Sequence, residues 1–115
     1  MRIAEIAELL KAEICTKDPS QDLDILSACS ADLMSDVMAF SKENAMLLTG
    51  LVNPQVVRTA EMMDIKVVVF VRGKKPQPPM IELAEEKGIV LLSTDYPLFV
   101  ASGKLYSKGI RGRGE

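Results

Sequence analysis

Three short polar segments carry residue types that could hold an anion, and each directly follows an apolar run. They are residues 49–53, 72–75 and 93–95. Together they offer hydroxyls, a helix start and a basic loop, which are groups that bind phosphate in proteins. The sequence therefore predicts one ligand-binding set, made of Thr49, Gly50, Asn53, Arg72, Gly73, Lys74, Thr94 and Asp95.

Each segment also has a simpler structural explanation, and both interpretations remain open at this point. Thr-Gly and Asn-Pro pairs are common in turns and helix caps. The basic side chains of residues 72–75 could form an ordinary solvated loop. Thr94 and Asp95 could cap the helix that follows them.

No pattern of residues predicts catalysis. The chain has no histidine, which removes the commonest general base and the commonest zinc ligand. The stretch VRGKKP lacks the spacing of a Walker phosphate loop, and no GxSxG is present. We therefore predict a protein that is not an enzyme and that uses no cofactor and no metal.

The main alternative is a metal-dependent enzyme of phosphate chemistry. Asp32 and Asp36 lie four residues apart on a predicted helix, so they could pair as acid and base or hold a divalent ion, with Asp95 as a further candidate. The pair lacks a third ligand, and the helix dipole alone explains a carboxylate in a first turn. A third hypothesis is a purely structural assembly subunit.

A strand–helix–strand unit at residues 45–75 positions the first two polar segments. Residues 45–48 are continuously apolar, as in a strand that is covered on both faces. Asn53 and Pro54 predict a helix start, because Asn accepts from free first-turn amides and Pro loses no hydrogen bond there. Residues 65–71 form the most β-prone run of the chain. Two such strands joined by a helix are expected to pair in parallel with a right-handed crossover.

The remaining elements follow from hydrophobic period and from breaking residues. Further helices are predicted at residues 2–11, 31–41, 80–87 and 97–107, and further strands at 12–16, 22–30 and 89–92. Ser30 is the predicted cap of helix 31–41, and Gly88 is the predicted stop of helix 80–87. The Gly- and charge-rich tail 108–115 is predicted to be flexible.

This order of elements predicts a single domain over residues 1–115, with its core at about residues 30–110. Strands that alternate with helices indicate an α/β fold in three layers, with a mainly parallel sheet and helices on both faces.

Composition excludes several function classes. The chain has a formal net charge of −2, with 48% hydrophobic and 26% charged residues. Because it is not basic, we expect no affinity for nucleic acid or for a membrane surface. No apolar run approaches the roughly 20 residues of a membrane-spanning helix, and the acidic N-terminal pattern is unlike a secretory signal. Cys15 and Cys29 lack metal-ligand spacing, so we predict buried free thiols in a reducing cytoplasm.

The predicted helix 31–41 carries apolar residues on more than one stripe. They are Leu33, Val37 and Phe40 on one side, with Met34 and Met38 beside them. A monomer of this size covers one such stripe, and a large exposed apolar patch is unusual, so the pattern predicts a homodimer through this helix. The competing explanation is that the first helix covers the second stripe within one chain.

Two long stretches of the chain resemble a known family, the DRTGG domain. They read LLTGLVNPQVVRTAEMMDIKVVVFVRGKKP and ELAEEKGIVLLSTDYPLFVASGKLY, and the resemblance spans about residues 30–110. That domain is similar in fold to the N-terminal, non-catalytic domain of HPr kinase/phosphorylase. It also occurs beside CBS domains in some pyrophosphatases and beside phosphotransacetylases. The family's strand-end turns match Thr49, Gly50, Gly73 and Thr94, whereas its Asp-Arg pair is replaced here by Val52-Asn53, so no role of that pair is carried over.

The resemblance implies a regulatory or accessory domain that binds a small anionic ligand or a partner protein. Stand-alone proteins of this compact form resemble those encoded near iron-only hydrogenase-like subunits and serine-kinase-type ATPases in anaerobic bacteria. A hydrogenase-like or kinase-like subunit is therefore the implied protein partner. The chain has no set of iron–sulfur ligands, so we do not expect it to be the hydrogenase itself.

Overall fold

The computed structural model describes residues 1–17, 23–40 and 44–113. Each predicted helix and strand has a counterpart within them. In chain order the elements are α1 (Ile3–Leu10), β1 (Glu13–Ile14), β2 (Ser27–Ser30), α2 (Met34–Phe40), β3 (Ala45–Thr49), α3 (Pro54–Met62), β4 (Val67–Phe70), α4 (Pro78–Glu86), β5 (Val90–Ser93) and α5 (Leu98–Ser107).

The strands form one sheet in the order β1-β5-β4-β3-β2. The last four strands of the chain are parallel to one another, and β1 pairs antiparallel with the outer edge of β5. Met46 lies opposite Val67, which in turn lies opposite Val90. Every residue of β3, β4 and β5 is buried, as expected for continuous apolar strands that are covered on both faces.

Helices cover both faces of this sheet. One core cluster joins the sheet to α2, α3 and α4, and the other joins it to α1 and α5. The grouping has a simple cause, because right-handed crossovers that all advance in one direction place their helices on the same face. The predicted fold class, a three-layer α/β domain with a mainly parallel sheet, is therefore confirmed.

The central strand–helix–strand unit is confirmed in detail. The Asn53 side-chain oxygen accepts from the Gln55 amide at 2.9 Å, and Pro54 is the first residue of α3. After the helix, Asp64 has a φ of 56°, and the Ile65 amide donates to the Ala60 carbonyl at 2.8 Å. These contacts turn the chain directly into β4.

The predicted start of α2 is wrong. Ser30 is the last residue of β2, where it pairs with Leu48, and the Ala31 amide continues the ladder by donating to the Leu48 carbonyl at 3.1 Å. The chain is therefore still extended at residue 31, and α2 begins only at Met34. Asp32 precedes the helix, so the helical pairing of Asp32 with Asp36 is also wrong. The predicted helix end at residue 41 lies outside the described residues.

The predicted cap of α5 by Thr94 and Asp95 is wrong as well. Pro97 occupies the N-cap position, and no side chain caps the helix there. The Thr94 hydroxyl instead donates to the carbonyl of Leu10 at 2.6 Å and accepts from the Tyr96 amide at 3.2 Å. The Thr94 hydroxyl is therefore bonded to the end of α1 and does not cap α5.

Part of the tail that the sequence predicts to be flexible packs against the sheet. Ile110 is buried, and the Arg111 carbonyl accepts from the Ala28 amide at 3.0 Å. Arg111 thus forms a parallel bridge to Ser27 on the outer edge of β2. An edge strand has unpaired amides and carbonyls, and this pairing satisfies part of them.

The apolar residues of α2 are divided between the core and the surface. Met34 and Val37 are buried, whereas Leu33, just before the helix, is 61% exposed and Met38 is 47% exposed. Because α1 packs on the opposite face of the sheet, the explanation that it covers this second stripe is wrong. The side chain of Phe40 lies outside what the structure describes, and the homodimer stays a prediction.

Candidate functional site

The carboxyl ends of β2 to β5 share one edge of the sheet, and the loops that leave this edge carry the predicted ligand residues. Since these strands are parallel and adjacent, the segments that follow β3, β4 and β5 meet there. In sheets of this kind, ligands bind outside the carboxyl ends of the strands. A fourth segment, residues 31–33 after β2, joins the same edge and adds Asp32.

Asp32 is the residue of this edge that sequence reasoning left out of the ligand set. Its Oδ1 accepts from the Gly50 amide at 2.7 Å and from the Thr49 hydroxyl at 3.1 Å. The Thr49 oxygen in turn accepts from the Leu51 amide at 3.1 Å. These bonds hold the turn after β3. The local sequence contains no signal for them, because only the pairing of β2 with β3 brings Asp32 to Gly50.

Arg72 is the cation of this edge, and its guanidinium lies directly over Gly50. A β-carbon built on Gly50 would collide with Arg72 Nη2, so the close approach depends on the missing side chain. The backbone of Arg72 has a φ of 58°, and its amide donates to the Tyr96 carbonyl at 2.9 Å. Within residues 1–17, 23–40 and 44–113, the guanidinium makes no hydrogen bond or ion pair.

Two hydrogen bonds join the loops after β4 and β5 beside Arg72. The Gly73 amide donates to the Thr94 carbonyl at 2.9 Å, and the Ser93 hydroxyl donates to the Lys74 carbonyl at 2.6 Å. Gly73 has a φ of 71°, and a β-carbon there would lie 3.2 Å from Asp95 Oδ1. Glycine at this position therefore permits both the left-handed backbone conformation and the close approach of the Asp95 carboxylate.

The predicted ligand set consequently divides into two groups. Gly50, Arg72, Gly73, Lys74 and Asp95 line the edge with accessible atoms. The other three hold the loops in place: Thr49 and Thr94 are buried with occupied hydroxyls, and the Asn53 side chain caps α3.

The charges of this edge have both signs. Arg72 and Lys74 are basic, Asp32 and Asp95 are acidic, and all four are exposed. Arg binds phosphate or carboxylate in a forked geometry, whereas a carboxylate accepts from hydroxyl or amino groups. The arrangement thus suits a ligand that carries an anionic group beside hydrogen-bond donors.

Three hollows of the surface lie away from this edge. The first, of about 400 Å³, lies at the amino ends of the strands between Leu26 and Lys66, and one of about 180 Å³ lies between β2 and α5. A shallow one of about 600 Å³ separates α3 from α4. None of the three includes Arg72 or Gly50, so the assignment of the candidate site depends on its chemistry rather than on one of these cavities.

The cysteines lie outside this site. Both are free thiols, and each is half-buried, so the predicted full burial is wrong. Burial raises the pKa of Cys15 and of Cys29, and the carboxylates of Glu13 and Asp36 respectively add to the rise. A raised pKa keeps a thiol protonated at neutral pH, so neither cysteine is an activated nucleophile.

Among the described residues, no three side chains of the metal-binding types His, Cys, Asp and Glu come together in one cluster. No described helix has the length and apolar character needed to cross a bilayer.

Comparison with known proteins finds a structural relative rather than a sequence relative. No protein-family model matches the chain, and no curated protein matches it. A solved structure that does match contains the CBS and DRTGG domains of the regulatory region of Clostridium perfringens pyrophosphatase, complexed with its activator diadenosine tetraphosphate. The TM-score is 0.71 and the sequence identity 18%, over 90% of this chain and 45% of the other. At this identity the match concerns the fold, and it confirms the predicted one: the chain has a DRTGG-like α/β fold.

Proposed function

We propose that this domain is a non-catalytic regulatory or accessory domain that binds a small phosphate-bearing ligand at the carboxyl edge of its sheet. The observation that carries the proposal is the guanidinium of Arg72, held over Gly50 without an ionic partner among the described residues. Lys74 adds a second cation on the same loop, and Asp95 adds an acceptor for hydroxyl groups.

The structural relative indicates which ligands to test first. That regulatory region was solved with diadenosine tetraphosphate, a nucleotide that carries both phosphates and ribose hydroxyls. Such a ligand matches the mixed charges of this edge. Because the likeness covers 45% of that structure, the nucleotide is the first class to test and not an assigned ligand.

Thermal unfolding with added ligand tests the proposal. Diadenosine tetraphosphate, ATP and a sugar phosphate are compared with adenosine, which lacks phosphate. A ligand at 100 times its dissociation constant should add about 2.7 kcal/mol to the free energy of unfolding, enough to raise Tm by several degrees. Arg72→Met should weaken binding about tenfold or more, because it removes charge-assisted hydrogen bonds.

Gly50→Ala distinguishes a loss of ligand binding from a loss of stability. Its methyl group displaces the flexible end of Arg72, so we expect the domain to stay folded while it loses ligand affinity about as Arg72→Met does. Arg58→Met, on the exposed side of α3, is the matched control and should bind like the parent. The proposal is contradicted if no phosphate compound raises Tm, or if Gly50→Ala and Arg72→Met bind as well as the parent.

The structure bears on one of the alternative functions and leaves the others as predictions. The metal-dependent enzyme loses its main support, because Asp32 is bonded to Gly50 and Thr49 and does not share a helix with Asp36. Phosphatase assays with Mg²⁺ or Mn²⁺ distinguish this alternative directly. A hydrogenase-like or kinase-like partner, a structural assembly role and a cytoplasmic location stay predictions from the sequence.

We also infer a homodimer through the exposed surface of α2, where Met38 and, just before the helix, Leu33 are exposed. Met38→Glu should convert a dimeric mass to a monomeric one in light scattering. A two-fold contact would bury one new carboxylate from each protomer, which is unfavourable. Phe99→Glu, on the opposite side of the sheet, should leave the mass unchanged. A monomeric parent protein at micromolar concentration would rule out the dimer.

A further inference from the structure

Two hydrogen-bond donors of the turn after β3 converge on one carboxylate oxygen. The Gly50 amide donates to Asp32 Oδ1 at 2.7 Å, and the Thr49 hydroxyl donates to the same atom at 3.1 Å. A backbone amide and a hydroxyl that meet at one point are typical donors of a site for an oxyanion. The carboxylate of Asp32 is therefore an anion that is already bound in such a site.

The sheet holds these donors in place. Thr49 is the last residue of β3, where it pairs with Phe70, and its carbonyl accepts from the Val71 amide at 3.1 Å. The Thr49 hydroxyl oxygen accepts from the Leu51 amide, so its proton is available to the carboxylate. These bonds do not involve Asp32, so they can hold the donors in position when another anion replaces its carboxylate.

Arg72 places a cation beside the same two donors. Its guanidinium lies over Gly50, where a β-carbon would collide with Nη2. No ion pair joins this guanidinium to Asp32, although the structure describes both side chains. Gly50 therefore lies beside a carboxylate and a guanidinium that do not pair with each other. A phosphoryl group has three acceptor oxygens, so it can accept from the Gly50 amide and from the guanidinium at the same time.

The carboxylate of Asp32 can leave this position at low cost. Asp32 is exposed, so water replaces the two hydrogen bonds that its carboxylate gives up. It lies between the end of β2 and the start of α2, in the short segment 31–33. Displacement therefore requires a change of side-chain rotamer and does not require a strand or a helix to move.

The Gly50 amide, the Thr49 hydroxyl and the Arg72 guanidinium together form what we call the anion cradle. We propose that Asp32 is a built-in competitor of the ligand: its carboxylate occupies the first two groups in the free protein, and a phosphoryl group of the ligand displaces it and also binds the third. This inference rests on the proposed function and adds the groups that receive the phosphoryl oxygens. It also explains a limit on affinity, because ligand binds only to molecules in which the cradle is open.

Isothermal titration calorimetry with inorganic pyrophosphate and with ATP tests the proposal on the full chain. Asp32→Ala should raise the affinity for both about tenfold or more, as expected if the cradle is open in about a tenth or less of the parent molecules. Without ligand, the same variant should lower Tm by a few degrees, because the Gly50 amide and the Thr49 hydroxyl lose their acceptor. A residue that only holds the turn would behave differently, since Asp32→Ala would then lower stability and affinity together.

Asp32→Asn keeps the acceptor oxygen and removes the charge, so it decides the test if Asp32→Ala does not fold. A neutral acceptor forms weaker hydrogen bonds than a carboxylate, so this variant should bind about threefold tighter than the parent or more. Asp36→Asn is the matched control. It removes the same charge from an exposed position of α2 outside the cradle, so we expect an affinity within about twofold of the parent value.

The possible outcomes distinguish a failure of this inference from a failure of the proposed function. If the parent binds pyrophosphate or ATP and the Asp32 variants bind equally well or more weakly, the inference is overturned and the proposed function stands. The inference is also overturned if Asp36→Asn raises the affinity as much as the Asp32 variants do, because the loss of any nearby charge would then explain the gain. Binding by the Asp32 variants alone would support the cradle and contradict the proposed function. If neither the parent nor the variants bind, both are contradicted.

Discussion

Replacing Phe70 with alanine is expected to lower the free energy of unfolding by about 3–5 kcal/mol. Phe70 is the largest fully buried side chain of the described residues, and it belongs to β4, which lies between β3 and β5. Its ring packs in the core cluster that joins the sheet to α2, α3 and α4. Domains of this size are stable by only about 5–15 kcal/mol, so the loss is a large fraction of the total.

Urea denaturation followed by circular dichroism measures this loss. Phe99→Ala removes the same ring from an exposed position and is expected to change stability by no more than about 0.5 kcal/mol. Equal losses in the two variants would contradict the burial that the structure assigns to Phe70.

Thr94→Val is expected to cost about 2–4 kcal/mol, because a buried carbonyl and a part-buried amide lose their partner. The Leu10 carbonyl lies in the last turn of α1, where carbonyls have no partner within the helix, and it accepts from the Thr94 hydroxyl at 2.6 Å. The Tyr96 amide donates to the same oxygen at 3.2 Å. Valine has the shape of threonine but can replace neither hydrogen bond.

The same denaturation experiment checks this prediction against Ser107→Ala. The Ser107 hydroxyl donates to the Lys104 carbonyl at 2.8 Å in an exposed position, where its loss should cost about 0.5 kcal/mol or less. Thr94 is also one of the predicted ligand residues. If Thr94→Val kept full stability but lost the Tm shift caused by phosphate compounds, the ligand role would be right and the structural role wrong.

The elements of this fold were predictable because their signals are local. Asn53 starts α3 by accepting from the Gln55 amide, and Pro54 suits the first helical position. The apolar runs of β3, β4 and β5 require cover on both faces wherever they lie. The meeting of the polar segments at one edge was also predictable. Once the strands are known to be parallel, the segments that follow them must meet at one edge.

Contacts between segments far apart in the chain were not predictable. Helical spacing around Asp32 indicates a first turn, yet the β2–β3 ladder keeps the chain extended to residue 31 and carries the carboxylate to Gly50. Thr94 is a residue type that often caps helices, but its hydroxyl donates to the Leu10 carbonyl at the end of α1, and Pro97 occupies the cap position of α5. In both cases a polar side chain bonds to a group whose proximity depends on the packing of other elements.

The sequence by itself determined the α/β class, the order of the elements and the set of polar strand ends. Only the tertiary structure decided which of those polar groups remain accessible: it buried Thr49 and Thr94, placed Arg72 over Gly50 and added Asp32. The physical reason is that hydrophobic period and capping act over a few residues. The partner of a hydrogen bond or the neighbour of a guanidinium is selected instead by which strands and loops pack side by side.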